Sequence, residues 1–370
     1  MRVLNLIQKP QRRGAETFAS DLSNWMRSRS VDAQLLALYA HDGPSPALGP
    51  KDVLLDAAEQ APSERFLNPL LLARLIRAIR RFQPDVVQCN GGRTLKYAAA
   101  ARLAAPRALW IYRNIDSPAF WLKSAKAKAL MPPLVRFGFD AAICVSEATL
   151  REVQAAYGFI GRSVAIENGV DFTRLGQGSG ASAAHSVLAP GRVKLVWVGA
   201  LGPQKRPDVA IELMALLPQY FSLTMLGEGP WRERVLAMVA ERDLGERVRL
   251  VGNRADVGDV MRAADMLVMT SDTEGIPAVV IEAQHCGLPV VAFDVGGLKE
   301  CLPSAGTGRL VRHGDLAALA AAVVDEGARV GGVEIRARCT AFSDRFSIEQ
   351  IGPRYLRFYT EQLGLRQARR

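Results

Sequence analysis

The chain has 370 residues, more than one hydrophobic core usually serves, so length alone favours two domains of roughly 150 to 200 residues each. A composition of 49% hydrophobic, 23% charged and 7% aromatic residues excludes disordered, collagenous and fibrous classes. The net charge of +10 is uneven, with 24 Lys/Arg against 15 Asp/Glu in residues 1–175 and 23 against 22 in the remainder. A basic first half fits an anionic partner such as a membrane surface, a phosphorylated carrier or nucleic acid, or else a solubilising surface.

Apolar runs of strand length alternate with helical patterns in two series, the signature of parallel sheets covered by helices. The first series predicts strands at Arg2–Ile7, Ala33–Leu38, Asp85–Gln88, Ala108–Tyr112 and Ala141–Val145, with a helix opening at Gly14 and another over Phe66–Phe82. Gly176–Arg192, rich in Gly, Ser and Ala and lacking periodicity, predicts a flexible connection. The second series predicts strands at Lys194–Val198, Ser222–Leu226, Val248–Val251, Met266–Met269, Pro289–Phe293 and Arg309–Val311, with helices at Asp208–Leu216, Trp231–Arg242 and Leu316–Glu326. Phe346–Leu365 reads as a helix after the last strand. The expected class is α/β, with two doubly wound sheets. Five scattered cysteines with no CxxC argue against a disulfide scaffold or a zinc site. The opening MRVLNLIQKP lacks a long apolar core, and no stretch of about 18 uncharged apolar residues follows, so a cytoplasmic protein is expected.

In open α/β sheets ligands bind beyond the carboxyl ends of strands, where helix N-termini present unpaired amides. Four segments lie at such places. After LVWVG, ending at Gly199, Lys205 and Arg206 precede a helix opened by Pro207, a plausible diphosphate clamp or a solvated basic loop. TSDTEGIPAVVIEA holds Glu274 and Glu282, with Gly275, Ile276, Pro277 and Ala278 turning into a helix. Amides there suit phosphate oxygens, and carboxylates suit sugar hydroxyls. Gly227 in LGEGP marks a tight turn or a ligand contact. Near the first strand, Arg12 and Arg13 precede Gly14, whose lack of a side chain permits close approach.

These strings, with GAE at Gly14–Glu16, VSE at Val145–Glu147, ENGVD at Glu167–Asp171, LGEGPWRERVLAMVAERDLGERVRLVGNRADV and GGLKE at Gly296–Glu300, resemble the retaining glycosyltransferases of family 4, in family order over nearly the whole chain. The resemblance implies a GT-B fold, two Rossmann-like domains facing a central cleft. It implies an acceptor-binding domain over 1–171, a donor domain over 172–345, and a terminal helix, 346–370, crossing back to the first domain. A nucleotide-sugar, usually a UDP or GDP sugar, would be held by Lys205 and Arg206 at the diphosphate and by Glu274 with the amides of Gly275–Ala278 at sugar and phosphates. Glu282 would accept from the ribose hydroxyls, and backbone near Val251, Asn253 and Arg254 would meet the base. Two positions depart from the family pattern. Ala200 stands where an arginine is usual, and WIYRNID offers Arg113, Asn114 and Asp116 in place of a histidine, so these three join Arg13 as acceptor-side candidates.

The resemblance further implies front-face transfer with retention, in which the leaving phosphate helps deprotonate the acceptor, cations stabilise the diphosphate and domain closure excludes water. No nucleophile carboxylate pair of the retaining-hydrolase kind stands out, nor does a DxD-like motif, so no metal or other cofactor is expected. Two segments interleave cations with apolar residues: Pro69–Phe82, with Arg74, Arg77, Arg80 and Arg81, and Phe120–Phe139, with Lys123, Lys126, Lys128 and Arg136. Each is either an interfacial helix on an anionic membrane or an amphipathic helix facing the core. A glycan or lipid-linked acceptor in cell-surface polysaccharide or lipopolysaccharide synthesis fits the basic half. A sugar-nucleotide epimerase on the same fold is the alternative. A nucleic-acid-binding protein is another, but it lacks any supporting aromatic or zinc motif.

Overall fold

The computed structural model describes residues 1–368 except 42, 44, 47, 56–66, 123, 159–161, 177–185, 304–305 and 330, and only the backbone at 120 and 121. Phe66, Lys123 and most of the expected connection lie outside the described residues. The chain divides into two compact units, Met1–Val170 with Phe346–Arg370, and Asp171–Arg345.

The first unit is built on β1 (Arg2–Ile7), β2 (Asp32–Ala37), β3 (Val53–Leu54), β4 (Val86–Asn90), β5 (Leu109–Asn114), β6 (Ala141–Cys144) and β7 (Ser163–Ala165). All pairs are parallel, in the order β3-β2-β1-β4-β5-β6-β7. The second holds β8 (Val193–Val198), β9 (Phe221–Leu226), β10 (Val248–Gly252), β11 (Met266–Met269), β12 (Val290–Asp294) and β13 (Gly308–Arg312), also parallel, in the order β10-β9-β8-β11-β12-β13. In each sheet the chain winds outward in both directions from its first strand. The strands read as apolar runs because helices cover both faces. Val3, Leu4, Leu6 and Ile7, on alternate sides of β1, are all fully buried. β3 and β7 escape the sequence reading because two and three residues carry no periodicity. A helix at Val333–Ser343 was likewise not anticipated.

The helix Pro69–Phe82 shows how sequence sets a local element. Asn68 caps it through Leu70 N (3.0 Å) and Leu71 N (3.2 Å). Leu71, Leu75 and Ile79 form one buried stripe, each stabilising the fold by about 1.5–3 kcal/mol. Arg74, Arg77, Arg80 and Arg81 face outward, so the apolar stripe is core while the cations remain on the surface.

The terminal helix Ile348–Ala368 belongs to the first unit. Val170 bridges Ser347, with Val170 N donating to Phe346 O (2.8 Å) and Ile348 N to Val170 O (2.9 Å). Ile351, Tyr355, Phe358 and Tyr359 pack with Phe18, Leu22 and Trp25 of the helix Gly14–Ser28 against Leu109 and Ile111. Beneath them runs a buried polar chain in which Tyr359 OH donates to Gln88 Oε1 (2.7 Å) and Gln88 Nε2 to Asn5 and Asn90 (3.1 Å each). All five cysteines are buried, unpaired thiols. Among the described residues no helix is long and apolar enough to cross a membrane.

Candidate functional site

Where the order of a parallel sheet reverses, connections leave two neighbouring strands towards opposite faces, and a crevice opens beyond their carboxyl ends. In the second unit those strands are β8 and β11. Lys205 and Arg206 follow the first, and Glu274 to Ala278 the second.

The two segments are laced together. Asp272 N donates to Gln204 O (2.9 Å), and Gln204 Nε2 to Thr273 O (3.2 Å). Thr270 Oγ1 accepts from Trp197 Nε1 (3.1 Å) and lies 2.8 Å from Arg206 O. This lacing holds Arg206 in the left-handed region, φ 49°, at the head of the helix Pro207–Leu216, a state costing a non-glycine residue about 1–2 kcal/mol. Lys205 Nζ then reaches Glu274 Oε1 at 2.5 Å, with side-chain exposures of 23% and 7%. The carboxylate is sheltered and the ammonium keeps an open side. Arg206 is bound more fully, by Asp208 (3.0 Å) and Asp272 (3.2 Å), and its hydrogen bond to Asp208 above all raises its pKa. His313 Nε2 stands 3.1 Å from the same Asp272 oxygen.

Two glycines let neighbouring loops brace this pair. Gly227, after β9, has φ +136°, and a Cβ there would stand 1.9 Å from Gly199 O. Gly296, after β12, has φ +54°, and its Cβ would stand 1.7 Å from Glu274 O. The backbones touch so closely that no side chain fits. Gly297 N also donates to Gly275 O (3.0 Å).

Past buried Ile276, Pro277 opens the helix Ala278–His285. Glu282 sits on it with Oε1 2.6 Å from Arg174 Nη2. His285, whose pKa burial lowers, stacks flat on Phe172 at 3.8 Å. At the end of β10, two places from β8, the register shifts between Leu250 and Gly252, leaving Val251 half-buried and Asn253 exposed. Arg254 there is paired with Asp256 at 2.7 Å.

The structure thus brings Lys205, Arg206, Glu274, Gly275, Gly199 and Gly227 together, and it gives Glu274 and Glu282 separate cations. The remaining candidates lie on the first unit. Arg13 and Gly14 are exposed at the head of the helix Gly14–Ser28. Arg113 is fully buried, with Nε donating to Tyr355 OH (3.1 Å), a second nitrogen donating to Asn168, and its cation 4.1 Å over the Phe18 ring. Asn114 accepts from Tyr112 OH (2.7 Å), and Asp116 is 8% exposed. The sequence reading did not find Arg174, Asp208 or Asp272. Asp272 belongs to TSDTEGIPAVVIEA, but nothing local marks Arg174 as the partner of a residue 108 positions away. Among the described residues no group of three or more His, Cys, Asp or Glu is placed to hold a metal ion.

An ammonium and helix amides suit phosphate oxygens, and carboxylates suit hydroxyls. Sequence comparison decides the family. The profile described as Glycosyltransferase Family 4 matches residues 12–174, and that described as Glycosyl transferases group 1 matches residues 192–325. The chain belongs to the group 1, family 4 glycosyltransferases. The D-inositol 3-phosphate glycosyltransferase of Nocardia farcinica is 36% identical to this chain over 157 residues, or 39% of this chain and 35% of that one. The protein of that name from Rhodococcus erythropolis is 34% identical over 209 residues, 52% of this chain and 46% of its own. The chain therefore spans less than half the length of these curated relatives. Among solved structures, Anabaena Alr3699/HepE in complex with UDP-glucose superposes with a TM-score of 0.81 at 22% identity, covering 98% of this chain and 99% of that one. Sucrose-phosphate synthase from Thermosynechococcus elongatus gives 0.76 at 18% identity, covering 99% and 100%. These likenesses establish the GT-B fold.

Proposed function

We propose that this glycosyltransferase moves a sugar from a UDP- or GDP-sugar to a hydroxyl of a glycan or lipid-linked acceptor, with retention at the anomeric carbon. The observation that carries the reading is the Lys205–Glu274 pair at the β8/β11 crevice, beside the amides that open the helix Ala278–His285. Lys205 exchanges its sheltered carboxylate for the diphosphate, and the departing phosphate oxygen takes the acceptor proton on the same face of the sugar. Glu274 is then released to accept from sugar hydroxyls. Positive charge from Lys205 and Arg206 supplies the stabilisation of the leaving group, so transfer proceeds without a metal ion. The relatives named as inositol-phosphate glycosyltransferases and the HepE complex with UDP-glucose support a nucleotide-sugar donor.

The test is thermal melting with UDP, GDP, ADP and their sugars. At a hundredfold excess over Kd a ligand stabilises the folded state by about 2.7 kcal/mol, which for a unit of this size raises Tm by about 5–10 °C. One nucleotide class is expected to produce that shift with EDTA present. No shift with any of them would overturn the reading.

The acceptor side rests on one face of the first unit. The helices Pro69–Phe82, Leu95–Ala101 and Ala125–Gly138 contain no Asp or Glu. They expose Leu70, Leu130 and Phe137 among Arg74, Arg77, Arg81, Lys126, Lys128 and Arg136. Each cation near an anionic bilayer contributes about 1 kcal/mol, and the exposed Phe137 ring and the two leucines add insertion. This supports a peripheral position on the inner membrane face and a lipid-linked acceptor of cell-surface polysaccharide or lipopolysaccharide synthesis. Sedimentation with phosphatidylglycerol vesicles at low salt is expected to carry the protein down, and the Leu130→Ser/Phe137→Ser variant is expected to sediment several-fold less. Retention in the supernatant of the unaltered protein would remove the membrane from the proposal.

A further inference from the structure

The turn Phe172–Leu175 is held against the helix Ala278–His285 more firmly than a simple connection requires. Asp171 closes it by accepting from Thr173 N (3.0 Å) and Thr173 Oγ1 (2.7 Å). Phe172 lies flat on His285, 5° from parallel. Leu175 O accepts from Arg262 Nη1 (3.0 Å), and Gly258 is so close that a Cβ there would stand 2.2 Å from the same oxygen. The turn is thus fixed by a ring stack, by a guanidinium and by backbone contact, and from it Arg174 extends to Glu282 Oε1 at 2.6 Å.

The Glu282 side chain is 12% exposed. Its Oε2 has no hydrogen-bond partner among the described residues, yet it is not among the sealed polar atoms of the structure. One oxygen is tied and the other is open. A glutamate free to rotate must be ordered before it can accept two hydroxyls, at a cost in rotamer entropy. A guanidinium that already holds one oxygen removes that cost and balances the charge of a carboxylate lying near a diphosphate.

We propose that Arg174 is a positioning residue for the nucleotide ribose, holding Glu282 by one oxygen so that the other meets the 2′,3′-diol. The proposal rests on the reading of Glu282 as the ribose acceptor. It makes discrimination between ribose and deoxyribose a property of the Arg174–Glu282 pair rather than of Glu282 alone.

The experiment measures, by titration calorimetry on the full chain, the Kd of whichever of UDP, GDP and ADP binds best and the Kd of its 2′,3′-dideoxy counterpart. The unaltered protein is expected to favour the diol by about tenfold to a hundredfold, the range of a charge-assisted hydrogen bond. Arg174→Gln is expected to reduce that ratio to within about threefold, and Arg174→Lys to retain part of it. A purely structural role would weaken both ligands alike and leave the ratio intact, which would overturn the proposal. Glu282→Gln separates the two levels. If it keeps the full ratio, the ribose reading of Glu282 fails. If it loses the ratio while Arg174→Gln and Arg174→Lys both keep it, only the role of Arg174 fails.

Discussion

Replacing Lys205 with alanine is expected to lower kcat by about 10²–10³, the usual loss when one electrostatic stabiliser of a leaving group is removed. The same change leaves the Glu274 carboxylate, 7% exposed, without its cation. Breaking a buried pair from one side costs about 3–5 kcal/mol. The partial exposure of Lys205 reduces this to about 2–3 kcal/mol, and the second unit should melt several degrees lower. Adding Glu274→Gln removes the stranded charge. The double variant Lys205→Ala/Glu274→Gln is therefore expected to melt near the unaltered protein and still fail to transfer sugar. Initial rates and melting curves on the three proteins separate catalysis from folding, and full activity in Lys205→Ala would remove this residue from the mechanism.

Gly296→Ala is expected to be the more damaging single change to the fold of the second unit. The added methyl stands 1.7 Å from Glu274 O at a backbone angle, φ +54°, that L side chains rarely adopt. The angle alone costs about 1–2 kcal/mol, and relieving the overlap must also move the segment that carries Glu274. A total loss of at least about 3 kcal/mol is expected, seen as a Tm lower by about 6–12 °C. Surviving folded protein should also bind the proposed nucleotide-sugar more weakly, because Glu274 and Gly275 have shifted. Gly14→Ala serves as the control, since its Cβ would meet nothing within 4 Å. An unchanged Tm in Gly296→Ala would show that the loop after β12 does not brace the site.

Apart from β3 and β7, the strands of both sheets were legible in the chain because most of them lie between layers of helices. A strand buried on both faces must be apolar throughout, and such runs stand out. The loops at the carboxyl ends of β8 and β11 stood out for a related reason: cations, small residues and a helix start fall together in one short string. Lys205 and Glu274 could each be located from their own neighbours. That they form an ion pair, 69 positions apart, depends on β8 and β11 being adjacent, a relation that no local window contains.

Arg113 shows the same boundary from the other side. Period-two alternation assigns it to the face of β5 shared with Leu109 and Ile111, and the resemblance made it an acceptor-side candidate because it stands where the family has a histidine. Whether that face meets solvent is decided by a segment more than two hundred positions away. The terminal helix returns to the first unit and lays Tyr355 against Arg113 (3.1 Å), while Phe18 of the helix Gly14–Ser28 covers the guanidinium. The chain by itself determined which residues are apolar, which can turn and which carry charge. Only the tertiary structure decided which charges are paired, which are sealed and which remain open to a ligand, because burial and adjacency are set by contacts between segments far apart in sequence.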